Sequence, residues 1–571
     1  MEPSIVAAYD AYVWRGEHCD LVSGLYDSPP VTLAEAASRI PEIRAAYDDT
    51  EWLDEDSLKK LQQRLAVLCK RLGCMTPGVK HTIGRLGEGA VEAAHQSANL
   101  GGPAFILNKA ATAVRIVGIA NENGIASAAY FCVADYDEVQ PELTHVRTPL
   151  MGHEGNVISV PVPQGYEHSP VSALPLPSSD WYEDAQDSIR EGYRPLFKSV
   201  EGPARAILEE RLEQALSLTR WAFFNSSTLG EWALRILGRL FNVEGRLGLP
   251  LFSASDPELR KLLARGFEML LRPEVRKTFL ASHRKAGEII TASGFRRGVG
   301  DRDGEYVPFF YECVNADCHR ARTRLTYSER GNRAVLQGEC PSCGERVEIE
   351  ISRSDPDLSD VAVNLSPRVD SRQFALDAVI PVVCHVGGPG EAAYYAQVIP
   401  AATAMGAPFP SFVRYPRMFF NTPWSESLAR TLAEQDVPVL HGRELFRTLG
   451  RINKFRKKKR HDEMNAAVAE LGSLIRSRYE QLNNHLGEME EDIQETAGHA
   501  REQLLEKRMA VERYLSWTFG AYAPGKQAQE ASWSWIEWAV NAGFPDLFGP
   551  YERAYVGGLR PGATLFTNFT L

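Results

Sequence analysis

The chain has 571 residues, 44% of them hydrophobic and 24% charged, with a formal net charge of −11. That length exceeds one hydrophobic core and predicts roughly two to four packed units, while the composition excludes a disordered or fibrous chain. No apolar run approaches the roughly 20 residues that span a bilayer, and the acidic balance argues against wrapping nucleic acid through bulk charge. Met1-Glu2-Pro3-Ser4 lacks the character of a signal peptide, so a cytoplasmic location is expected. Nine cysteines are too few for a disulfide framework, and Cys19, Cys69, Cys74, Cys132 and Cys384 read as reduced thiols in or near cores. Cys384 also stands beside a glycine loop, where a nucleophile is an alternative reading.

In chain order, residues 1–85 read as helical, with Leu58, Leu61, Leu65, Leu68 and Leu72 at three- and four-residue steps. Residues 86–178 read as the first half of a Rossmann-like core. An apolar stretch from Ala90 to Gln96 leads through Gly101-Gly102-Pro103 into a helix, and residues 125–134 form a buried strand ending in Asp135-Tyr136-Asp137-Glu138. Residues 179–305 read as a helical insertion, with a capping pattern at Thr228–Glu231 and proline after a cap at Asp256-Pro257. Residues 306–352 carry two close cysteine pairs and read as a zinc ribbon. The core returns over residues 353–446, with strands at 382–386 and 411–415. Residues 447–516 repeat Ile475, Leu482 and Met489 every seven positions, which predicts a coiled-coil arm and favours a homodimer. Residues 517–571, aromatic after Pro524, form a C-terminal packing segment through Trp533, Trp535, Trp538, Phe544 and Phe548.

Two segments share one device, an apolar run entering Gly-Gly-Pro where a helix begins: Gly101-Gly102-Pro103 and Gly387-Gly388-Pro389. Glycine permits a sharp turn and close approach of a ligand, and proline suits the first helical position. A helix start offers unpaired N–H groups to a phosphate or carboxylate. Neither segment is a dinucleotide fingerprint or a Walker loop. Glu391 in the first turn of the second helix suits either the helix dipole or a bound ammonium group. Lys109, Arg414 and Arg417 are natural partners for phosphate or carboxylate, although any one alone is equally a solvated cation. Cys313, Cys318, Cys340 and Cys343 have the spacing of a closed four-thiolate zinc site, structural because no ligand position is left for water; His319 is a less suitable ligand. The basic run Lys454–Arg460 reads first as a solvated helix face and second as a surface for RNA or polyphosphate.

Ser366-Pro367, Arg372, Asp377 and Gly387-Gly388-Pro389-Gly390-Glu391 through Tyr394-Tyr395-Ala396-Gln397 resemble the second signature of the BshC family, the cysteine-adding enzymes of bacillithiol biosynthesis. The stretch from Gln96 to Lys109 is similar to that family's first signature, and Tyr415-Pro416-Arg417 to a later element. The chain departs from the family in having Asp135-Tyr136-Asp137-Glu138 without histidine, His95-Gln96-Ser97 at the first turn, and the added ribbon, so it resembles a divergent member. The resemblance implies an α/β, Rossmann-like, doubly wound core akin to class I synthetases and nucleotidylyl transferases, with insertions and a dimerising C-terminal coiled coil. It implies a ligase that joins cysteine to a small carboxylate-bearing acceptor, glucosaminyl-malate in the family, as an amide. A carboxylate is a poor acyl donor, and ATP is the simplest source of its activation.

On this reading Glu391 and Asp137 are the catalytic candidates. Gln96, Asn99, Gly101, Gly102, Lys109, Arg372, Asp377, Gly387, Gly388, Gly390, Tyr394, Gln397, Arg414 and Arg417 are expected to bind substrate or nucleotide, with both helix starts aimed into one crevice. No histidine stands in a recognisable catalytic setting. The alternatives are an RNA-binding, synthetase-like accessory protein and a nucleotidylyl transferase that makes no amide. Small molecules are the expected partners; nucleic acid and membrane are not.

Overall fold

The computed structural model describes residues 2–151, 155–200, 202–520 and 529–569. Met1 and Pro524, which entered the sequence reading of the two termini, lie outside the described residues. Five parallel strands form the central sheet: β1 (Ala90–Gln96), β2 (Ala128–Ala134), β3 (Leu251–Ser253), β4 (Val382–Gly387) and β5 (Ser411–Arg414). Their order is β5-β4-β1-β2-β3. All of β2 and β4 is buried, as expected of strands covered on both faces, and this explains their continuous apolar sequence.

Helix α1 (Phe105–Glu122) connects β1 to β2, and α2 (Pro389–Met405) connects β4 to β5. From the central β1/β4 pair, one crossover steps to each side of the sheet. Because such crossovers are right-handed, α1 and α2 cover opposite faces, and the carboxyl ends of β1 and β4 form the topological switch point. The doubly wound core expected from the sequence is therefore present.

The segment between β2 and β4 contains the helices Ser179–Lys198, Pro203–Phe224, Leu229–Gly238, Pro257–Leu271 and Pro273–Ala292. Thr228 Oγ1 and Asp256 Oδ1 accept first-turn N–H groups, satisfying donors that a helix start leaves unpaired. Strand β3 also arises in this segment, where the sequence suggested helices alone. The ribbon follows as short antiparallel strands, and Phe309–Glu312 pairs with both Arg322–Arg324 and Leu365–Pro367, so it is joined to the body by backbone hydrogen bonds.

Beyond the sheet, α3 (Arg443–Lys457), α4 (His461–Glu495) and α5 (His499–Phe519) form the arm. Ile475, Leu482 and Met489 are buried within the one chain, where α4 packs against both α3 and α5. The predicted heptad seam is thus covered without a second copy. Among the described residues no helix is long and apolar enough to cross a membrane.

Candidate functional site

Strands β1 and β4 carry Glu92 and His385 within fully buried stretches, and the parallel register sets the two opposite each other. An isolated charge there would be costly, and a chain of partners removes that cost. Arg372 donates to Glu92 Oε1, and Glu92 Oε2 lies 2.8 Å from His385 Nδ1. His385 Nε2 lies 3.2 Å from Glu391 Oε1. Glu391 Oε2 accepts from Lys109 Nζ and from the Gly388 N–H, both at 2.6 Å. Lys109 also donates to the Ala94 carbonyl at 2.8 Å. Five side chains from β1, β4, α1, α2 and the helix Arg372–Asp377 therefore form one buried line of alternating charge. Its interior is closed, since Glu92 and His385 have no exposed side-chain surface, and it reaches the surface through Glu391, 18% exposed.

Burial alone would neutralise these groups; their neighbours reverse that. Desolvation raises the Glu391 pKa, but Lys109 and His385 outweigh it and hold the carboxyl well below its usual range. Glu92 is likewise lowered, with Arg372 and His385 overcoming desolvation. For His385 burial opposes the charged form, yet Glu92 and Glu391 raise its pKa. His95, by contrast, is pushed down to about 3 by burial and by Lys109, so it stands neutral with its ring edge-on to Phe105.

A second group sits at the ends of β1 and β2. Gln96 Nε2 donates to Asp137 Oδ2 at 2.7 Å, and Arg322 from the ribbon places Nη1 3.7 Å from Asp137 Oδ1. The Arg322 guanidinium also lies over the Tyr136 ring at 5.5 Å, and burial and Asp137 raise the pKa of that phenol. Tyr394, half-buried one turn beyond Glu391, feels both Glu391 and Arg372.

Several expected site residues have other tasks. Asn99 donates to the carbonyls of Thr144 and Ile158. The first helix start is covered: Ala104 N–H donates to Trp533 O, and Trp535 Nε1 donates to Leu100 O. A Cβ on Gly101 would lie 2.7 Å from Ile236, with φ at +79°, so that glycine serves packing. Gly102 likewise meets Ile106 at 2.8 Å. The expectation of two open helix starts facing one crevice is thus corrected to one. Asp377 accepts from Tyr47 and Gln373 in the interior, and desolvation raises its pKa well above the usual range. Gln397 accepts from Val299 N–H, and Arg414 pairs with Asp10. Arg417 begins the strand Arg417–Asn421, where burial and Arg414 lower its pKa.

The second helix start has the glycine turn and first-turn proline that the sequence predicts. Gly387 and Gly388 admit the rings of Phe412 and Tyr415, whereas a Cβ on exposed Gly390 would meet nothing within 4 Å. Glu391 accepts from Lys109 and Gly388 and faces His385, so of its two readings the helix-start complement is the one seen, with Lys109 as a further partner. Cys384 is fully buried with its pKa pushed up to about 12, which removes the nucleophile reading.

In the ribbon, the sulfurs of Cys313, Cys318, Cys340 and Cys343 all lie within 4.8 Å of one another. Cys313–Cys343 and Cys318–Cys340 stand 3.9 and 3.8 Å apart. A tetrahedron with metal–sulfur bonds of about 2.3 Å has edges of about 3.8 Å, so the four thiols fit a metal ion. His319 stacks on Tyr166 with ring centroids 3.9 Å apart, which gives it a role outside the cluster. His319 and Arg320 both have positive φ, at 47° and 64°. Such left-handed residues cost roughly 1–2 kcal/mol each outside glycine.

Sequence reasoning found Lys109, Glu391 and Arg372 but missed Glu92, His385 and Arg322. The available signal was a charged or chargeable residue inside each of two largely apolar strands, Glu92 in Ala90–Gln96 and His385 in Val382–Gly387.

A parallel, doubly wound sheet with charged groups gathered near its switch point defines an α/β protein of the Rossmann-like class. The family model described as "Bacillithiol biosynthesis BshC, N-terminal Rossmann-like domain" matches residues 185–418, which include β3, β4, β5 and the ribbon. A protein of Symbiobacterium thermophilum named "Putative cysteine ligase BshC" is 24% identical over 83% of this chain and 88% of its own length. A Solibacter usitatus protein of the same name is 22% identical over 54% of this chain and 50% of its own. Over these spans the chain is similar to the BshC family.

Proposed function

We propose that the protein is a ligase that joins cysteine to a small carboxylate-bearing acceptor as an amide, through a carboxylate activated at the expense of ATP. The observation that carries this reading is the buried charge line ending beneath the open start of α2. There Lys109 is held by Glu391, and the first-turn N–H groups, unpaired within the helix, suit a phosphoryl or carboxylate group. Lys109 and His385 keep Glu391 ionised, and Arg372 and Glu92 hold His385 in turn, so these donors need little rearrangement when negative charge develops. Asp137 and Gln96 line the adjoining end of the sheet. ATP supplies the phosphoryl or adenylyl group that makes the carboxylate a competent acyl donor; the amine then attacks the carbonyl carbon, and the phosphate or AMP departs. Zinc is the metal we assign to the four thiols, in a structural role.

The test is incubation of purified protein with cysteine, ATP and glucosaminyl-malate, with mass detection of the amide. Formation of the product, dependent on all three substrates, is expected. Labelled ATP exchanging with pyrophosphate in the absence of cysteine, with no amide formed on its addition, would instead identify a nucleotidylyl transferase.

A further inference from the structure

We propose that the four-cysteine metal centre holds Arg322 in place as the carboxylate receptor for an α-amino acid, with Asp137 beside it taking the ammonium group. The inference rests on reading the switch point as a cysteine-ligase site, and deepens it by assigning where cysteine sits.

The connection between metal ligand and receptor is short. Cys318 is followed by His319 and Arg320, both left-handed, then by Ala321 and Arg322. Two such residues in succession persist only where the surroundings impose them. One constraint is Cys318 itself, 3.8 Å from Cys340. Another is the hydrogen bond from Cys313 N–H to Ala321 O, between the strand carrying one ligand and the turn carrying the next. Arg320 leaves the turn to pair with buried Glu312, which also holds Arg260. The next outward residue, Arg322, reaches the body of the protein.

Arg322 is more than nine-tenths buried. Its Nε donates to Ser366 Oγ at 3.2 Å, and its Nη2 donates to Pro367 O at 3.4 Å. Its guanidinium lies over Phe310 at 4.3 Å. These contacts orient the plane. Nη1 is turned to Asp137 Oδ1 across 3.7 Å, beyond hydrogen-bond range, while Asp137 Oδ2 is occupied by Gln96. A cation and an anion held side by side, each with capacity left, match the zwitterion of an α-amino acid: guanidinium to carboxylate, carboxylate to ammonium. Lys109 and the α2 start remain for a phosphoryl group or the acceptor.

Binding without ATP or acceptor tests this separately from the ligase reaction. S-methyl-L-cysteine is the probe, since it offers no thiolate to the metal, and 2-(methylthio)ethylamine is its analogue without the carboxylate. In titration calorimetry Arg322→Ala should weaken S-methyl-L-cysteine by on the order of 10- to 100-fold and leave the amine's weak binding unchanged, with Arg322→Lys recovering part of the loss. Chelator-stripped protein should show the same selective loss, reversed by zinc, with faster hydrogen exchange over residues 313–324 while β1 and β4 stay protected. Equal probe affinity in Arg322→Ala, or stripped protein that binds the probe normally, would overturn the proposal. Failure of amide formation with intact probe binding would instead remove the ligase reading alone.

Discussion

Glu391 illustrates how one side chain changes meaning once its partners are known. From sequence it is a first-turn carboxylate that suits either the helix dipole or a substrate; in the fold it accepts from its own helix start and joins Lys109 to His385. Glu391→Ala would take the carboxylate partner from the buried Lys109 ammonium and the acceptor from His385 Nε2, a loss of about 3–5 kcal/mol. We expect a marked fall in melting temperature for that variant, whereas Glu391→Gln keeps the shape and should lose amide formation with a smaller thermal cost. Normal turnover in Glu391→Gln would exclude the charge line from the reaction. A separate prediction concerns Glu537, which is buried against the Tyr193 hydroxyl and whose pKa burial pushes up to about 8. Its folded form holds a proton that the unfolded chain releases near pH 4.5, so stability falls as pH rises from about 4.5 through about 8. Glu537→Gln should flatten that decline, measured as melting temperature against pH; an unchanged slope would show that Glu537 does not set it.

At the scale of elements, the strand-to-helix units were legible because their signals are local: buried apolar strands, glycine turns, proline at the helix start. The use of each helix start was not, because it depends on segments distant in sequence. The start of α1 is closed by Trp533 and Trp535, over 400 residues away, and no local pattern near Gly101 announces this. The heptads were read correctly as helix, but what covers their seam is the neighbouring α3 and α5. Strand β3 was missed for a related reason, since three residues carry no periodicity to recognise. Trp535→Ala should destabilise the protein by about 3–5 kcal/mol, through the lost ring volume and the orphaned Leu100 carbonyl, visible in chemical denaturation. A change under 1 kcal/mol would show that the cover over α1 is loose.

For the molecule as a whole, the α/β class was legible from the alternation of elements, but the meeting of Glu92 with His385 was not, because register between distant strands leaves no mark in either strand. That central pairing joins residues separated by 293 positions. A ribosome adding roughly 5–20 residues per second would complete β4 on the order of 15–60 s after β1. During that interval the nascent β1–β2 unit presents an unpaired edge with a carboxylate awaiting its counter-ion. The Glu92–His385 pair therefore cannot close until β4 has been made, and the desolvation penalty of an unpartnered Glu92 discourages β1 from accepting any apolar strand that arrives first.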